Sequence, residues 1–385
     1  MPTNLPAEAQ AAWNRYLEAK TLEEKIRALE EFVALVPKHK GTEKLLMNVK
    51  KTLTKLKLEL SKKREIRRGT SIHPAFSIPK EEDAQITLLG LPGAGKTALF
   101  WYLTGKEVQW GKPTLLPDVG AWKHKGAVFQ VIDLPPVFSD DIDDTPNGRQ
   151  ILSLIRNCDL VFLIIDSTQD IDWQFKTLMR LLKDNRIVID REPPPIRFRK
   201  TSRGGIQIYG AYLTPFSSEE LRRLILSMGI SNCVLEILDH VDEEDILNAL
   251  DSGTIYKRAI IVLTKIDLYE DSSEIKKMIE SISPLKVVPI SALNKSGKDT
   301  LGDLVLSELN LIRIWTRKNG IVSQRAIVLR KGSTVKDVAE KIHSDFVKKF
   351  KFAIVERPKA KINKLRVGLN FKVEDGDVIT IYVQE

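Results

Sequence analysis

The chain is poor in the residues that staple or metallate a fold. Its 385 residues include two cysteines, Cys158 and Cys233, both in apolar surroundings. That rules out a disulfide framework and suits a reducing compartment, expected to be the cytoplasm. The five histidines are scattered without metal-ligand spacing, which argues against a zinc site. Long apolar runs are missing as well. The longest, 160–165, is strand-sized, far short of the roughly 18–20 residues of a membrane-spanning helix. Residues 1–10 lack the basic-then-apolar pattern of a secretory signal, so no membrane partner is expected.

What is present is an ordinary globular composition, 43% hydrophobic, in a chain long enough for two or three domains. The charge is unevenly spread. Residues 1–80 carry a net +8, 81–319 a net −5 and 320–385 a net +6, for +9 overall. Basic ends around a slightly acidic centre fit contact with a polyanion such as RNA. They also fit a Lys/Glu-rich surface of the thermophile type.

The most specific segment is Gly90-Leu91-Pro92-Gly93-Ala94-Gly95-Lys96-Thr97, a complete G-x-x-x-x-G-K-[ST] loop. It follows the strand-like Ile86-Thr87-Leu88-Leu89 and precedes the helix-like run from Ala98 to Leu103. Strand, glycine loop and helix together aim backbone N–H groups and a helix N-terminus at a polyphosphate. Lys96 is expected to reach the β/γ-phosphates, and the Thr97 hydroxyl to bind Mg²⁺.

Around this loop the chain divides into four parts. Residues 1–68 form a helical hairpin. Thr21-Leu22-Glu23-Glu24 is a capping box, a first stripe runs through Leu22, Ile26, Leu29, Phe32 and Val33, and a second helix spans roughly 42–65. Residues 69–83 are a linker with Gly69, Pro74 and Pro79. Residues 84–318 alternate strands (85–89, 128–133, 160–166, 259–264 and 287–291) with helices, the pattern of an α/β domain with a mostly parallel sheet. A small α/β unit is inserted at about 170–255. Within it, 196–200 and 206–212 flank Gly204-Gly205 and read as a hairpin. Residues 320–385 carry strand, helix, strand and a last alternating strand, a β-grasp pattern. Lys348, Lys349, Lys351 and Arg366 lie among its aromatics, a composition able to contact RNA and equally that of a solvated face.

Three further motifs fall at strand ends. Asp133-Leu134-Pro135 closes one strand with a carboxylate able to hold Mg²⁺ through water. Thr264-Lys265-Ile266-Asp267 closes another; there an aspartate can accept both the ring N–H and the exocyclic amine protons of guanine. Adenine offers no such donor pair, so Asp267 selects GTP over ATP. Ser291-Ala292-Leu293 follows the next strand, with backbone N–H groups placed for the guanine carbonyl. The nucleotide-binding set is then Gly90, Pro92, Gly93, Ala94, Gly95, Lys96, Thr97, Ala98, Thr264, Lys265, Asp267, Ser291, Ala292 and Leu293.

The runs Asn147-Gly148-Arg149-Gln150-Ile151 and Arg156-Asn157-Cys158-Asp159-Leu160-Val161-Phe162 carry a resemblance to the developmentally regulated GTP-binding (DRG) family. That family belongs to the Obg superfamily of P-loop GTPases. The Leu-Pro in the phosphate loop, Asp133-Leu134-Pro135, the hairpin, the insert and a TGS-like β-grasp end extend it over nearly the whole chain. The resemblance implies a cytosolic GTPase that acts with the ribosome or translation machinery, often with a small regulatory protein.

The chain departs from the family pattern at several points. Pro136 stands where the family has the glycine of Asp-x-x-Gly, and proline has no N–H to offer a γ-phosphate. Val137 follows, where a glutamine would position water. An acidic run, Ser139-Asp140-Asp141-Ile142-Asp143-Asp144, replaces a glycine-rich switch and reads as a flexible, solvated loop. Thr114, the only hydroxyl residue between Lys106 and Ile132, is the candidate switch threonine for Mg²⁺, acting with Lys96 in catalysis. Thr264 replaces an asparagine. Gly93 stands where relatives carry Ser or Asn, which bears on activation by K⁺. The expected activity is slow hydrolysis of GTP; a nucleotide-binding scaffold or an RNA-binding protein is the alternative.

Overall fold

The computed structural model describes residues 22–36, 76–107, 115–251, 253–269, 283–318, 320–357 and 364–384, with single positions ahead of residue 50. Two compact units are present, Met1–Ser77 and Ile78–Glu385. In the first, helix α1 (Leu22–Leu35) turns Ala28, Leu29 and Phe32 inward, the spacing expected of its apolar stripe. The second helix expected over 42–65 lies outside the described residues, apart from Val49, which is helical and buried.

The second unit begins β1 (Ala84–Gly90), α2 (Lys96–Thr104), β2 (Asp118–His124), β3 (Ala127–Asp133), α3 (Gly148–Asn157), β4 (Leu160–Asp166), α4 (Ile171–Asp184) and β5 (Ile187–Val188). It continues β6 (Ile196–Lys200), β7 (Ile206–Tyr209), α5 (Ser218–Ser227), β8 (Cys233–Ile237), α6 (Glu243–Leu250), β9 (Ile255–Tyr256), β10 (Arg258–Thr264), β11 (Lys286–Pro289) and α7 (Lys298–Glu308). The last stretch is β12 (Leu311–Lys318), β13 (Ile321–Val322), β14 (Ile327–Arg330), α8 (Val335–Ile342), α9 (Ser344–Lys348), β15 (Phe350–Glu356), β16 (Lys364–Val367) and β17 (Val378–Val383).

The main sheet has the order β11-β10-β4-β1-β3-β2, parallel except for β2, which runs antiparallel to β3. Every residue of β1, β3 and β4 is buried, as a parallel sheet covered on both faces requires. Leu88, Phe100, Phe129, Phe162 and Val262 meet in its core. Edge strand β2 was not expected. It buries Gly120, Trp122 and His124 and exposes Ala121, so its inward face carries too little aliphatic character to read as a strand.

The inserted unit corrects one expectation. Strands β6 and β7 do not pair as a hairpin around Gly204-Gly205. Strand β8 lies between them, antiparallel to β6 and parallel to β7. Cys233, Leu235 and Ile237 of β8 are buried, and the most apolar of the three strands takes the centre. Helix α5 supplies the crossover that a parallel pair needs. Helix α4 packs on the main sheet instead, where Gln174 Oε1 accepts from the Asp166 N–H at 2.9 Å.

In the C-terminal sheet the order is β13-β12-β17-β15-β16, with β14 on β12. Helix α8 lies across one face over Ile312, Ile314, Val355 and Ile379. Strand β12 pairs within this sheet, so the sheet begins ahead of residue 320. The two sheets are joined by the Ala326 N–H on the Gly126 carbonyl at 3.1 Å and by Arg325 on Glu82 at 2.7 Å. Among the described residues no helix is long and apolar enough to cross a membrane. Phe162 is 0% exposed at the sheet centre, and Phe162→Ala is expected to cost about 3–5 kcal/mol. Urea unfolding should show that loss; a cost below about 1 kcal/mol would contradict the packing described.

Candidate nucleotide site

The carboxyl ends of β1, β3, β4, β10 and β11 gather the candidate residues on one edge, where open α/β sheets bind ligands. The loop leaving β1 turns through Gly93 (φ 75°) and Gly95 (φ 85°), left-handed conformations that glycine adopts without strain. Gly95 is the N-cap of α2. With no side chain to close the helix end, the first N–H groups of α2 point outward and form an anion-binding terminus.

Lys96 turns back under its own loop. Its Nζ donates to the carbonyls of Gly90 at 2.9 Å and Leu91 at 3.0 Å. Burial lowers its pKa to about 8, with the Asp133 charge partly opposing. One residue on, Thr97 Oγ1 donates to Asp133 Oδ2 at 2.7 Å. Asp133 ends β3 and is buried. A hydroxyl and a carboxylate side by side form the hard oxygen set that suits Mg²⁺. Thr114, the expected third ligand, lies outside the described residues.

On the other side, β10 delivers the Thr264–Asp267 motif. Thr264 Oγ1 donates to the Ala94 carbonyl at 2.7 Å, with the Ile165 carbonyl at 3.2 Å. The threonine thus ties this strand end to the phosphate loop although it replaces the family's asparagine. Asp267 sits in a single 3₁₀ turn, Ile266–Leu268, and its Oδ1 accepts from Ser291 Oγ at 2.6 Å. Ser291 Oγ in turn accepts from the Asn294 N–H at 2.9 Å. A cleft of 720 Å³ is lined by Gly95, Ala98, Thr264, Lys265, Asp267, Ala292 and Leu293, with Trp101, Tyr102, Lys295 and Lys298. Its volume falls in the range for a small-molecule site.

Asp166 was missed by sequence reasoning. It ends β4 and is 1% exposed. Its Oδ2 takes Lys265 Nζ at 2.6 Å, while its Oδ1 accepts from Thr168. Burial raises the Asp166 carboxyl, but the hydrogen bonds from Lys265 and Thr168 outweigh it and hold the group below the usual carboxylate range. The available signal was a strand-terminal aspartate on the strand neighbouring the Thr-Lys-x-Asp motif.

The acidic segment is solvated, as expected, with Asp141, Asp143 and Asp144 exposed, and it holds a defined turn. Asp141 caps a 3₁₀ turn through the Asp143 N–H at 2.9 Å. Ser139 Oγ donates to Asp144 at 3.0 Å, and Arg180 and Arg149 pair with Asp140 and Asp143 at 2.6 and 3.4 Å. Capping and arginine pairing offset the carboxylate repulsion. Ahead of this segment Val137 is buried, with its N–H 3.4 Å from the Gly90 carbonyl.

Known proteins identify the class. Residues 85–191 match the family model described as a 50S ribosome-binding GTPase, 203–311 the C-terminal region of MMR_HSR1 domain, and 312–383 the TGS domain. Ribosome-interacting GTPase 1 of Saccharomyces cerevisiae is 30% identical over 369 residues, covering 94% of this chain and 99% of that protein. Developmentally-regulated GTP-binding protein 1 homolog of Dictyostelium discoideum is 29% identical, covering 94% and 99%. An uncharacterized GTP-binding protein of Methanocaldococcus jannaschii is 29% identical, covering 94% and 93%. Among solved structures, the Schizosaccharomyces pombe YchF GTPase has 17% identity and a TM-score of 0.45, covering 79% of this chain and 99% of that one.

The chain belongs to the developmentally regulated GTP-binding protein family, P-loop GTPases that end in a TGS domain. Membership carries GTP binding, GTP hydrolysis in general and the use of Mg²⁺. Replacing Thr264 by Val leaves the Ala94 carbonyl without its hydroxyl donor, and should destabilise the protein by about 1–3 kcal/mol in chemical denaturation. Thr264→Ser should retain most of the stability; equal losses in both variants would show that the hydroxyl is not the tether.

Proposed function

We propose that this protein binds Mg·GTP with the phosphates on the Gly90–Ala98 loop and the base against Asp267, and hydrolyses it slowly to GDP and phosphate. The observation that carries this reading is the shared edge. The buried Lys96, the Thr97–Asp133 pair and the Ser291–Asp267 pair all stand at the carboxyl ends of one sheet. An attacking water adds to the γ-phosphorus as the bond to the β–γ bridging oxygen breaks, and charge builds on the phosphate oxygens. Lys96 and the N–H groups at the start of α2 would meet that charge. Magnesium, when bound, neutralises β- and γ-phosphate charge, with Thr97 and Asp133, and in the switch Thr114, as the residues to hold it.

Two residues support slowness. Pro136 has no N–H for the γ-phosphate, and the buried hydrocarbon of Val137 cannot orient water. Turnover on the order of 10⁻⁴ to 10⁻² per second fits such a site. Potassium or a small regulatory protein would supply the missing stabilisation. The net +6 of residues 320–385, the basic N-terminal region and the name of the yeast relative support a cytoplasmic partnership with the ribosome or RNA. Pro136 also favours a second reading, a nucleotide-bound scaffold without hydrolysis.

Single-turnover phosphate release from bound GTP, in sodium and in potassium, separates the two readings. Slow release that disappears in Lys96→Ala supports the GTPase. Intact GTP after prolonged incubation sinks it and leaves the scaffold. The buried lysine adds a pH dependence. Below its pKa of about 8 the free protein already carries the ammonium; above it, binding must first take up a proton. GDP affinity should therefore fall roughly tenfold from pH 7 to pH 9, and Lys96→Arg, permanently charged, should flatten the slope. A wild-type affinity constant across that window would contradict the assignment of Lys96 to the phosphates.

A further inference from the structure

The nucleotide cleft occupies the carboxyl ends of the main-sheet strands. A second concavity, of 460 Å³, lies at their amino-terminal ends. Its walls come from the segment entering β1, the turn before β4, the start of β10, the turn into β12 and the turn after β14, so it joins the GTPase sheet to the C-terminal sheet. Five cationic side chains line it, namely Lys80, Lys257, Arg258, Arg330 and Lys331, against two carboxylates, Asp83 and Asp159.

Both carboxylates are engaged. Asp159 accepts from Lys80 Nζ at 2.7 Å and from the Gln85 N–H at 2.9 Å. Asp83 accepts from the Val128 N–H at 2.9 Å and has Lys341 Nζ at 3.8 Å. The lining keeps a surplus of three positive charges, although Arg258 also pairs with Glu192 outside it at 3.6 Å. Lys257 is half-buried there, and its Nζ donates to the Cys158 carbonyl at 2.7 Å. An ammonium has three N–H groups, and that carbonyl takes one of them. Burial, with the neighbouring Lys80 ammonium adding to it, pulls Lys257 below its ordinary pKa. The turn bearing Arg330 and Lys331 is fixed over the pocket by the Lys331 N–H on the Asn310 carbonyl at 2.7 Å.

Lysines and arginines on a convex surface splay apart into water. Here they converge from three segments on one concave space, where each charge makes the others more costly. An oxyanion relieves that cost and offers acceptors to several donors at once. We propose that this pocket binds a phosphate group at the junction of the two sheets, carried by a small phosphorylated molecule or by an RNA backbone. The site is independent of the nucleotide cleft, from which the length of the sheet separates it.

The test is calorimetry on the full chain saturated with GDP, with inorganic pyrophosphate as one probe and a single-stranded RNA oligonucleotide as the other. The expected result is binding that weakens about tenfold or more in Arg330→Ala/Lys331→Ala. Both residues are exposed, so their truncation leaves the core intact, and unchanged GDP affinity checks this. Arg222→Ala/Arg223→Ala, which removes the same charge from the exposed face of α5, should have no effect. Pyrophosphate binding with this sensitivity identifies a small-molecule site. RNA binding with this sensitivity, without pyrophosphate binding, identifies a backbone-phosphate site. Binding of neither probe, or binding indifferent to the Arg330/Lys331 pair, overturns the proposal. Pyrophosphate titrated into Lys96→Ala without GDP disables the phosphate loop, so failure of this pocket can be told from failure of the nucleotide cleft.

Discussion

A buried ammonium holds the phosphate loop in shape. Lys96 reaches back to the Gly90 and Leu91 carbonyls, turning two of the loop's acceptors inward while the N–H groups at the head of α2 face out. The arrangement is costly, because burial pulls the lysine's pKa down to about 8, and the cost is what makes the loop receptive. In the proposed binding mode an arriving phosphate would offer the same ammonium a charged partner in place of two neutral ones. Two left-handed glycines and the central position of β1 in the sheet leave the loop little freedom to collapse.

The rest of the cleft is built by side chains that cross from one strand end to the next. Thr264 links β10 to the phosphate loop, Lys265 links it to Asp166 at the end of β4, and Ser291 links the segment after β11 to Asp267. These short bonds tie the ends of β1, β4, β10 and β11 to one another, with a threonine in the motif's first position. The switch side is different in kind. Pro136 and Val137 withdraw a donor and a polar side chain, and the exposed acidic segment beyond them pairs with Arg149 and Arg180.

What could be read from the sequence was local or strongly periodic. The phosphate loop needs only its glycines, lysine and threonine at fixed spacing, with apolar flanks on both sides. The main parallel strands announce themselves because burial on both faces demands continuous apolar runs, as in Leu160–Asp166. Features set by distant partners were not legible. The place of β8 between β6 and β7 depends on a competition among three strands for the buried position, and the Gly204-Gly205 pair suggested the wrong winner. Strand β2 hides behind an inward glycine and histidine. The Asp166–Lys265 pair joins residues 99 apart in the chain, and the basic pocket draws on five separate segments. No window of sequence contains either of them.

Exchanging the acceptor for a donor at Asp267 tests directly whether the cleft reads guanine through this carboxylate. Affinities of Asp267→Asn for GDP and for xanthosine diphosphate should be measured side by side with those of the wild type. A carboxylate accepts both N–H groups of guanine, whereas an amide can donate to the carbonyl that xanthine carries instead. The expected result is a loss of about a hundredfold for GDP, with preference passing to xanthosine diphosphate. Unchanged GDP affinity in the variant would contradict it.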